Sequence, residues 1–461
     1  MSAMKRTLVL DVVGLTPALL GEHTPNLKRL AERGRAVPLK TITPAVTCSV
    51  QSTFLTGELP SAHGAVANGW YFRDLAQVWL WRQNNALVQG DKLWREAKRR
   101  DPSFTCAKLF WWYNMYADVD FAVTPRPIYR ANGRKLPDVH THPSSLRDEL
   151  SAELGTFPLF NFWGPRADIT SSRWIGDCAS YVERKYRPTL NLVYLPHLDY
   201  ELQRSGPHGA KLPEQLREID QVCGKLIDEA QASERRVVVL SEYGITEVNR
   251  PVHINRALRE AGLLAFRMEQ GEEHFDAGAS QAFAVADHQI AHVYVRDLAC
   301  LGEVRRILEG LDGVEAVLDE HGKRDAGLDH PRSGEFVAIS KKDSWFTYYW
   351  WLDDARAPDY ARTVDIHSKP GYDPAELFID PRIKLPLLAV GQRLARSKLL
   401  NQRVLLDVIP LDASLVRGSH GRVADDPREG PLFITDTKEL LQGDEVHATE
   451  VRDLLLRHLF D

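Results

Sequence analysis

The sequence predicts an α/β protein with a mainly parallel central sheet covered on both faces and a smaller α+β lobe inserted into it. Three observations predict this. Continuous apolar runs alternate with amphipathic helical stretches, which is the pattern of strands buried on both faces. The chain has 461 residues, more than the roughly 250–300 that one hydrophobic core usually serves. The pattern also changes character between residues 265 and 364. The expected division is a core of 1–264 and 365–461 with an inserted lobe of 265–364.

In order, "RTLVLDVVG" (6–14) reads as a first strand. "TPNLKRLAERG" (24–34) reads as a helix with Thr24 as N-cap, Pro25 at its first position and Gly34 as its stop. The alternation recurs in "TLNLVYLPHLD" (189–199), then the helical 212–231, then "RRVVVLSEYG" (235–244), then a helix over 253–264. In the lobe, "LGEVRRILEGLDGVEAVLD" (301–319) and "GEFVAIS" (334–340) alternate helix and strand patterns. Three aromatic clusters, at 70–81, 110–116 and 344–354, either wall a pocket or pack core and lobe together.

Composition narrows the function classes. Apolar residues make up 44% and charged ones 26%, as in ordinary globular proteins. Lys and Arg number 58 against 63 Asp and Glu, a net charge of −5, so no basic surplus exists to cover a nucleic-acid polymer. Asp11 interrupts the N-terminal apolar run too early for a signal peptide, and no run of 18 apolar residues suggests a membrane span. The five cysteines are scattered with no C-x-x-C spacing, which suits reduced thiols and a cytoplasmic setting. The oligomeric state is not legible.

Ligands of such sheets sit beyond the carboxyl ends of the strands. Asp11 ends the first strand, Asp199 follows the second and Glu242 follows the third, so three acids at one edge would suit a hard cation. Upstream, "PAVTCSVQSTFLTG" (44–57) places Val46, Val50 and Phe54 at i, i+4 and i+8, the spacing of a buried helix face. Thr47 then stands at the helix start, where amide groups and the dipole favour an anion. On the residues alone, it is either an N-cap or a reactive hydroxyl.

The continuation "TCSVQSTFLTGELPSAHGAVANGWY" (47–71) resembles the nucleophile segment of the nucleotide pyrophosphatase/phosphodiesterase branch of the alkaline phosphatase superfamily. Thr56-Gly57, Pro60, His63-Gly64 and Asn68 fall in step with that family's pattern. Asp11 matches its first metal-binding Asp, and "YLPHLDYELQRSGP" (194–207) is similar to its "D-x-x-G-H-x-x-G-P" segment. "LSEYGI" (240–245) stands where the family has "S-D-H-G", and "RGSHGR" (417–422) resembles its last metal-histidine segment, with His420 as ligand. The matches run in order from residue 8 to 434. The resemblance implies an alkaline-phosphatase-like α/β/α core, a catalytic threonine and two divalent ions, zinc by family habit.

Three implied ligands are altered: Gln203 and Tyr243 replace histidines, and Glu242 replaces an aspartate. Glu keeps charge and oxygen donation, whereas Gln loses the imidazole and Tyr ligates poorly unless ionised. A more oxygen-rich site would turn preference toward manganese or magnesium. Compensating histidines are sought in His367, which clusters with Asp365 and Asp373, in His197, two residues before Asp199, and in His288 beside Asp287. His253 and His292 are further histidines within reach of the pattern.

The resemblance thus implies a first ion at Asp11, Glu242 and Thr47, and a second at Asp199 and His420, with His367 or His197 as third ligand. Thr47 would form a phospho-threonine intermediate, and Asn68 would donate to a nonbridging oxygen. The substrate expected is a small-molecule phosphodiester, pyrophosphate or related phosphoryl ester. Rivals are a phosphomonoesterase, phosphonate hydrolase or sulfatase on the same scaffold, a catalytically degenerate ligand-binding relative, or an assembly partner.

Overall fold

In the computed structural model, which describes residues 4–384, 391, 399 and 406–461, the apolar runs become strands of one sheet. The stretches 385–390, 392–398 and 400–405 of the expected core, with residues 1–3, lie outside the described residues. The sheet's strands are β1 (Thr7–Val12), β2 (Arg35–Lys40), β3 (Cys106–Leu109), β4 (Phe121–Pro125), β5 (Val139–His142), β6 (Leu190–Leu195), β7 (Arg236–Leu240), β8 (Leu432–Thr435) and β9 (Val446–His447). Their spatial order is β9-β2-β8-β7-β1-β6-β3-β4-β5.

The central strands β7-β1-β6-β3-β4 all run parallel. β8 is antiparallel to both its neighbours, β2 and β7, and β5 is antiparallel to β4. Every residue of β1 and β6 is buried, which requires cover on both faces. Helices α1 (Pro25–Arg33), α2 (Thr47–Thr56), α3 (His197–Ser205) and α4 (Leu212–Ala232) belong to that cover. The register sets Asp11 beside Tyr194 of β6 and Leu240 of β7. The residues following β6 and β7 therefore leave the sheet at the edge where Asp11 sits.

Thr24 precedes α1 as expected, yet its hydroxyl caps nothing in the helix. It accepts from the Gly21 N–H at 2.9 Å and donates to the Leu19 carbonyl at 3.1 Å. The cap comes from α4, whose Asp220 carboxylate accepts from the N–H groups of Asn26 at 3.1 Å and Leu27 at 2.9 Å. A carboxylate serves two donors and complements the positive helix end, which one hydroxyl cannot match. Asp220→Ala is expected to lower the unfolding free energy by about 2 kcal/mol, the upper range for a lost cap, read by urea titration.

Downstream, Ala282–Asp287, Ile290–Val295, Phe336–Ser340 and Val314–Leu318 form a separate four-stranded antiparallel sheet. The aromatic run at 344–351 packs behind it. Trp345, Phe346, Tyr348, Tyr349, Trp350 and Trp351 are all buried in one apolar cluster with residues of that sheet. That run is packing, not pocket wall. Among the described residues no helix is long and apolar enough to cross a membrane.

Candidate active site

The site starts with two acids from adjacent strand ends. Asp11 lies in β1 and Glu242 two residues past β7, and neither has any exposed surface. Gln51, one helical turn beyond Thr47 on α2, donates its amide to Asp11 Oδ2 at 3.2 Å and to Glu242 Oε1 at 2.6 Å. Asp11 Oδ1 and Glu242 Oε2 are buried with no hydrogen-bond partner. Burial raises the pKa of both carboxyls, and the neighbouring Glu242 charge raises Asp11 further.

Thr47 is the first residue of α2, not its N-cap; Val46 holds that place, without a side-chain cap bond. The hydroxyl is therefore spared the capping role. It meets the Tyr243 hydroxyl at 3.0 Å, and that hydroxyl donates to Asp199 Oδ1 at 3.3 Å. The helix has no exposed face, for all ten of its residues are buried, and it ends at Gly57, whose φ of 74° lies in the left-handed region glycine favours.

Asp199 sits on α3 rather than on a continuing strand. The chain leaves β6 at Leu195 and turns helical at His197, which spaces Asp199 and Gln203 one turn apart on a shared face. Gln203 donates to Asp199 Oδ2 at 2.6 Å, and the Tyr372 hydroxyl meets Gln203 Oε1 at 2.9 Å. Burial and the Glu242 charge push the Asp199 carboxyl up to about 7. Beside it the rings pack in a row: Tyr243 lies 3.6 Å from His420 and nearly parallel, His288 lies tilted 3.6 Å from His420, and Tyr372 stacks 3.8 Å from His288. Burial holds His420 neutral, down at about 3, with its Nδ1 on the Ala45 carbonyl at 2.8 Å.

Asn68 closes the other side. Its Oδ1 accepts from the Cys48 N–H at 2.9 Å, and its Nδ2 donates to Asp287 Oδ1 at 3.0 Å. Asp287 also accepts from the Asn68 N–H at 2.8 Å, so its carboxylate orients Asn68. An amide nitrogen has two hydrogens, which leaves one for a further acceptor.

Several expected ligands are not brought in. His197 and Asp199 were to share one side of a strand; on a helix, two residues apart, they diverge, and His197 faces Glu218 with Nε2 at 3.7 Å. His367 is exposed, with Arg82, Lys135 and Asp365 as its charged neighbours. Asp373 is taken by the buried ammonium of Lys369 at 2.6 Å, so it does not join Asp365 and His367 at a ligand position. His253 contacts Thr347, and His292 contacts the Val66 carbonyl, both away from Thr47.

Three residues of the site went unread in the sequence. Gln51 is four residues after Thr47, a helical spacing that signals a shared face. Tyr372 had no such signal. Lys108 is wholly buried and donates to the carbonyls of Trp112 and Tyr113 at 2.7 and 2.8 Å. It thereby fixes a turn in which Phe110 and Tyr113 have φ of 65° and 50°, and the Trp112 N–H of that turn donates to Gln51 Oε1 at 2.7 Å. Strain in such a turn is of order 1–3 kcal/mol per residue and needs support of this kind.

The family model for type I phosphodiesterase / nucleotide pyrophosphatase matches residues 7–373. The chain belongs to this family. A curated relative, an uncharacterized pyrophosphatase/phosphodiesterase of Schizosaccharomyces pombe, is 24% identical over 237 residues, 48% of this chain. The match spans only 41% of that relative's length. Among solved structures, phosphonoacetate hydrolase of Sinorhizobium meliloti with phosphonoformate is similar with a TM-score of 0.62 at 14% identity, covering 99% of this chain and 96% of that one. Murine ectonucleotide pyrophosphatase/phosphodiesterase 5, in an inactive threonine-to-alanine form with AMP, gives 0.58 at 14% identity, over 98% and 94%. These likenesses show the alkaline-phosphatase-like α/β/α fold.

The residues fit the family's implied ions unequally. At Asp11 and Glu242, two unpartnered buried carboxylate oxygens suit a divalent cation, since a buried carboxylate without compensation is costly. At Asp199 both oxygens are already engaged by neutral donors, Tyr243 and Gln203. Among the described residues, no group of three or more His, Cys, Asp or Glu side chains is assembled to hold a metal.

Proposed function

We propose that the chain is a metal-dependent hydrolase of a small-molecule phosphodiester, pyrophosphate or related phosphoryl ester, acting through a phospho-Thr47 intermediate. The observation that carries this reading is the Thr47 hydroxyl at a helix start, 3.0 Å from Tyr243 and flanked by the buried acids Asp11 and Glu242. A neutral threonine is a weak nucleophile, so its proton must be removed as its oxygen attacks. Asp11, Glu242 and Thr47 would hold a divalent cation, which when bound supplies Lewis acidity to the nucleophile and the phosphoryl oxygens. Manganese or magnesium suits this oxygen-only set better than zinc.

The chain's own groups do the rest. Gln51 orients the two carboxyls by donating one amide to both. The free N–H of Asn68 Nδ2 meets a nonbridging oxygen, where charge gathers in the transition state. The half-buried Trp81 and Trp112, tilted against each other with ring centroids 4.7 Å apart and with Tyr372 beside Trp81, support an aromatic or apolar leaving group. The family membership and the small phosphorus-containing ligands of the two structural neighbours support the reaction class. Unpaired cysteines are consistent with a cytoplasmic setting.

The test is a substrate panel run with manganese and with chelator. Bis-p-nitrophenyl phosphate should be cleaved fastest, and chelation should abolish the rate. Faster cleavage of p-nitrophenyl phosphate, a phosphonate monoester or p-nitrophenyl sulfate would move the assignment to that class. Tight binding of such esters with no turnover would identify a ligand-binding relative.

A further inference from the structure

The family precedent of two ions meets a chain in which Asp11, Glu242 and Thr47 still offer oxygen donors, whereas Asp199 is engaged by neutral groups. Asp11 Oδ1 and Glu242 Oε2 have no amide or cationic partner, their sister oxygens are fixed by one Gln51 amide, and the two carboxyls lie within hydrogen-bonding reach of each other. Neither acid forms an ion pair with any described Lys, Arg or His. At Asp199 the reverse holds. Gln203 turns its amide nitrogen, not its oxygen, to the carboxylate, because its oxygen is matched to the Tyr372 hydroxyl. A cation there would need the glutamine reversed and the Tyr243 hydroxyl displaced. The Tyr243 ring is held against His420 at 3.6 Å and 6°, with His288 packed at a tilt against that imidazole, so its hydroxyl is fixed between Thr47 and Asp199.

We propose that this centre takes one divalent cation, at Asp11, Glu242 and Thr47, and that the Tyr243 hydroxyl replaces the second, relaying the Thr47 proton to Asp199. This rests on the reading of Thr47 as nucleophile. As Thr47 Oγ bonds to phosphorus, its proton passes to Tyr243 Oη, and the phenolic proton passes to Asp199 Oδ1. The bond from phosphorus to the leaving oxygen breaks, and that oxygen takes a proton from water. The hydroxide so formed attacks phosphorus, the bond to Thr47 Oγ breaks, and the proton on Asp199 returns through Tyr243. One water is consumed and the enzyme is restored.

The test is equilibrium dialysis of the full chain against manganese, followed by plasma emission. Wild type should hold one ion per chain, Asp11→Asn none, and the Tyr243→His, Gln203→His double variant two. Tyr243→Phe should keep its ion and lose hydrolysis about 100-fold, the usual scale for a proton-transfer group. Two ions per wild-type chain, or full activity in Tyr243→Phe, overturns the proposal and leaves Thr47 as nucleophile untouched. One ion together with undiminished hydrolysis by Thr47→Ala overturns the nucleophile reading and with it the relay.

Discussion

Thr47→Ala is expected to lower kcat/KM for bis-p-nitrophenyl phosphate by at least about 10⁴-fold, with the cation-bound fold intact. Removing a covalent nucleophile leaves only binding and electrostatic stabilisation, and losses of this size follow in comparable machinery. Neighbouring nucleophiles cannot substitute. Cys48 is fully buried, and that burial drives its thiol pKa up, so no thiolate forms near neutral pH. Thr47→Ser should keep measurable activity because it retains an oxygen at the same helix position. A residual rate in Thr47→Ala within tenfold of wild type would remove Thr47 from the chemistry.

The cation's effect on stability should be strongly pH-dependent. Burial raises Asp11 and Glu242 in the folded chain, and Asp199 and Asp287 rise to about 7 and about 6. The sign follows from linkage. Acids raised in the fold stabilise it fully below their unfolded values, near 4, and that contribution is lost as pH rises through the folded values. Protons and the cation compete for Asp11 and Glu242. At pH 5 manganese should therefore hardly change the thermal midpoint, whereas at pH 8 an excess of 100 Kd should add about 2.7 kcal/mol. Asp11→Asn should abolish the increment at pH 8. An equal increment at both pH values would mean that the ion binds elsewhere.

Much of this is legible in the sequence. The buried strands announced themselves as apolar runs, and the acids Asp11, Asp199 and Glu242 stood at their ends because parallel strands share one carboxyl edge. Boundaries governed by tertiary contact were not legible. Thr24 looked like a cap, but a carboxylate 196 positions later outcompetes it. His197 looked like a partner of Asp199 because the strand was read as continuing; the turn to helix at residue 197 rotates them apart. His367 stands beside two acids in the sequence, yet Lys369, four residues before Asp373, satisfies that acid in the buried interior. Gln51 and Lys108 were missed for a related reason, since a polar residue inside an apolar stretch reads as an exception until its buried partners are known.

The claim on which the account turns is that a threonine oxygen becomes covalently phosphorylated. The direct measurement is acid quenching of manganese-loaded protein during turnover of bis-p-nitrophenyl phosphate, followed by peptide mass spectrometry. The account predicts an aryl-phosphoryl adduct on the peptide containing Thr47, located at that residue and absent from Thr47→Ala. Turnover with an unmodified Thr47 peptide at every quench time, and with the same rate in Thr47→Ala, would contradict it.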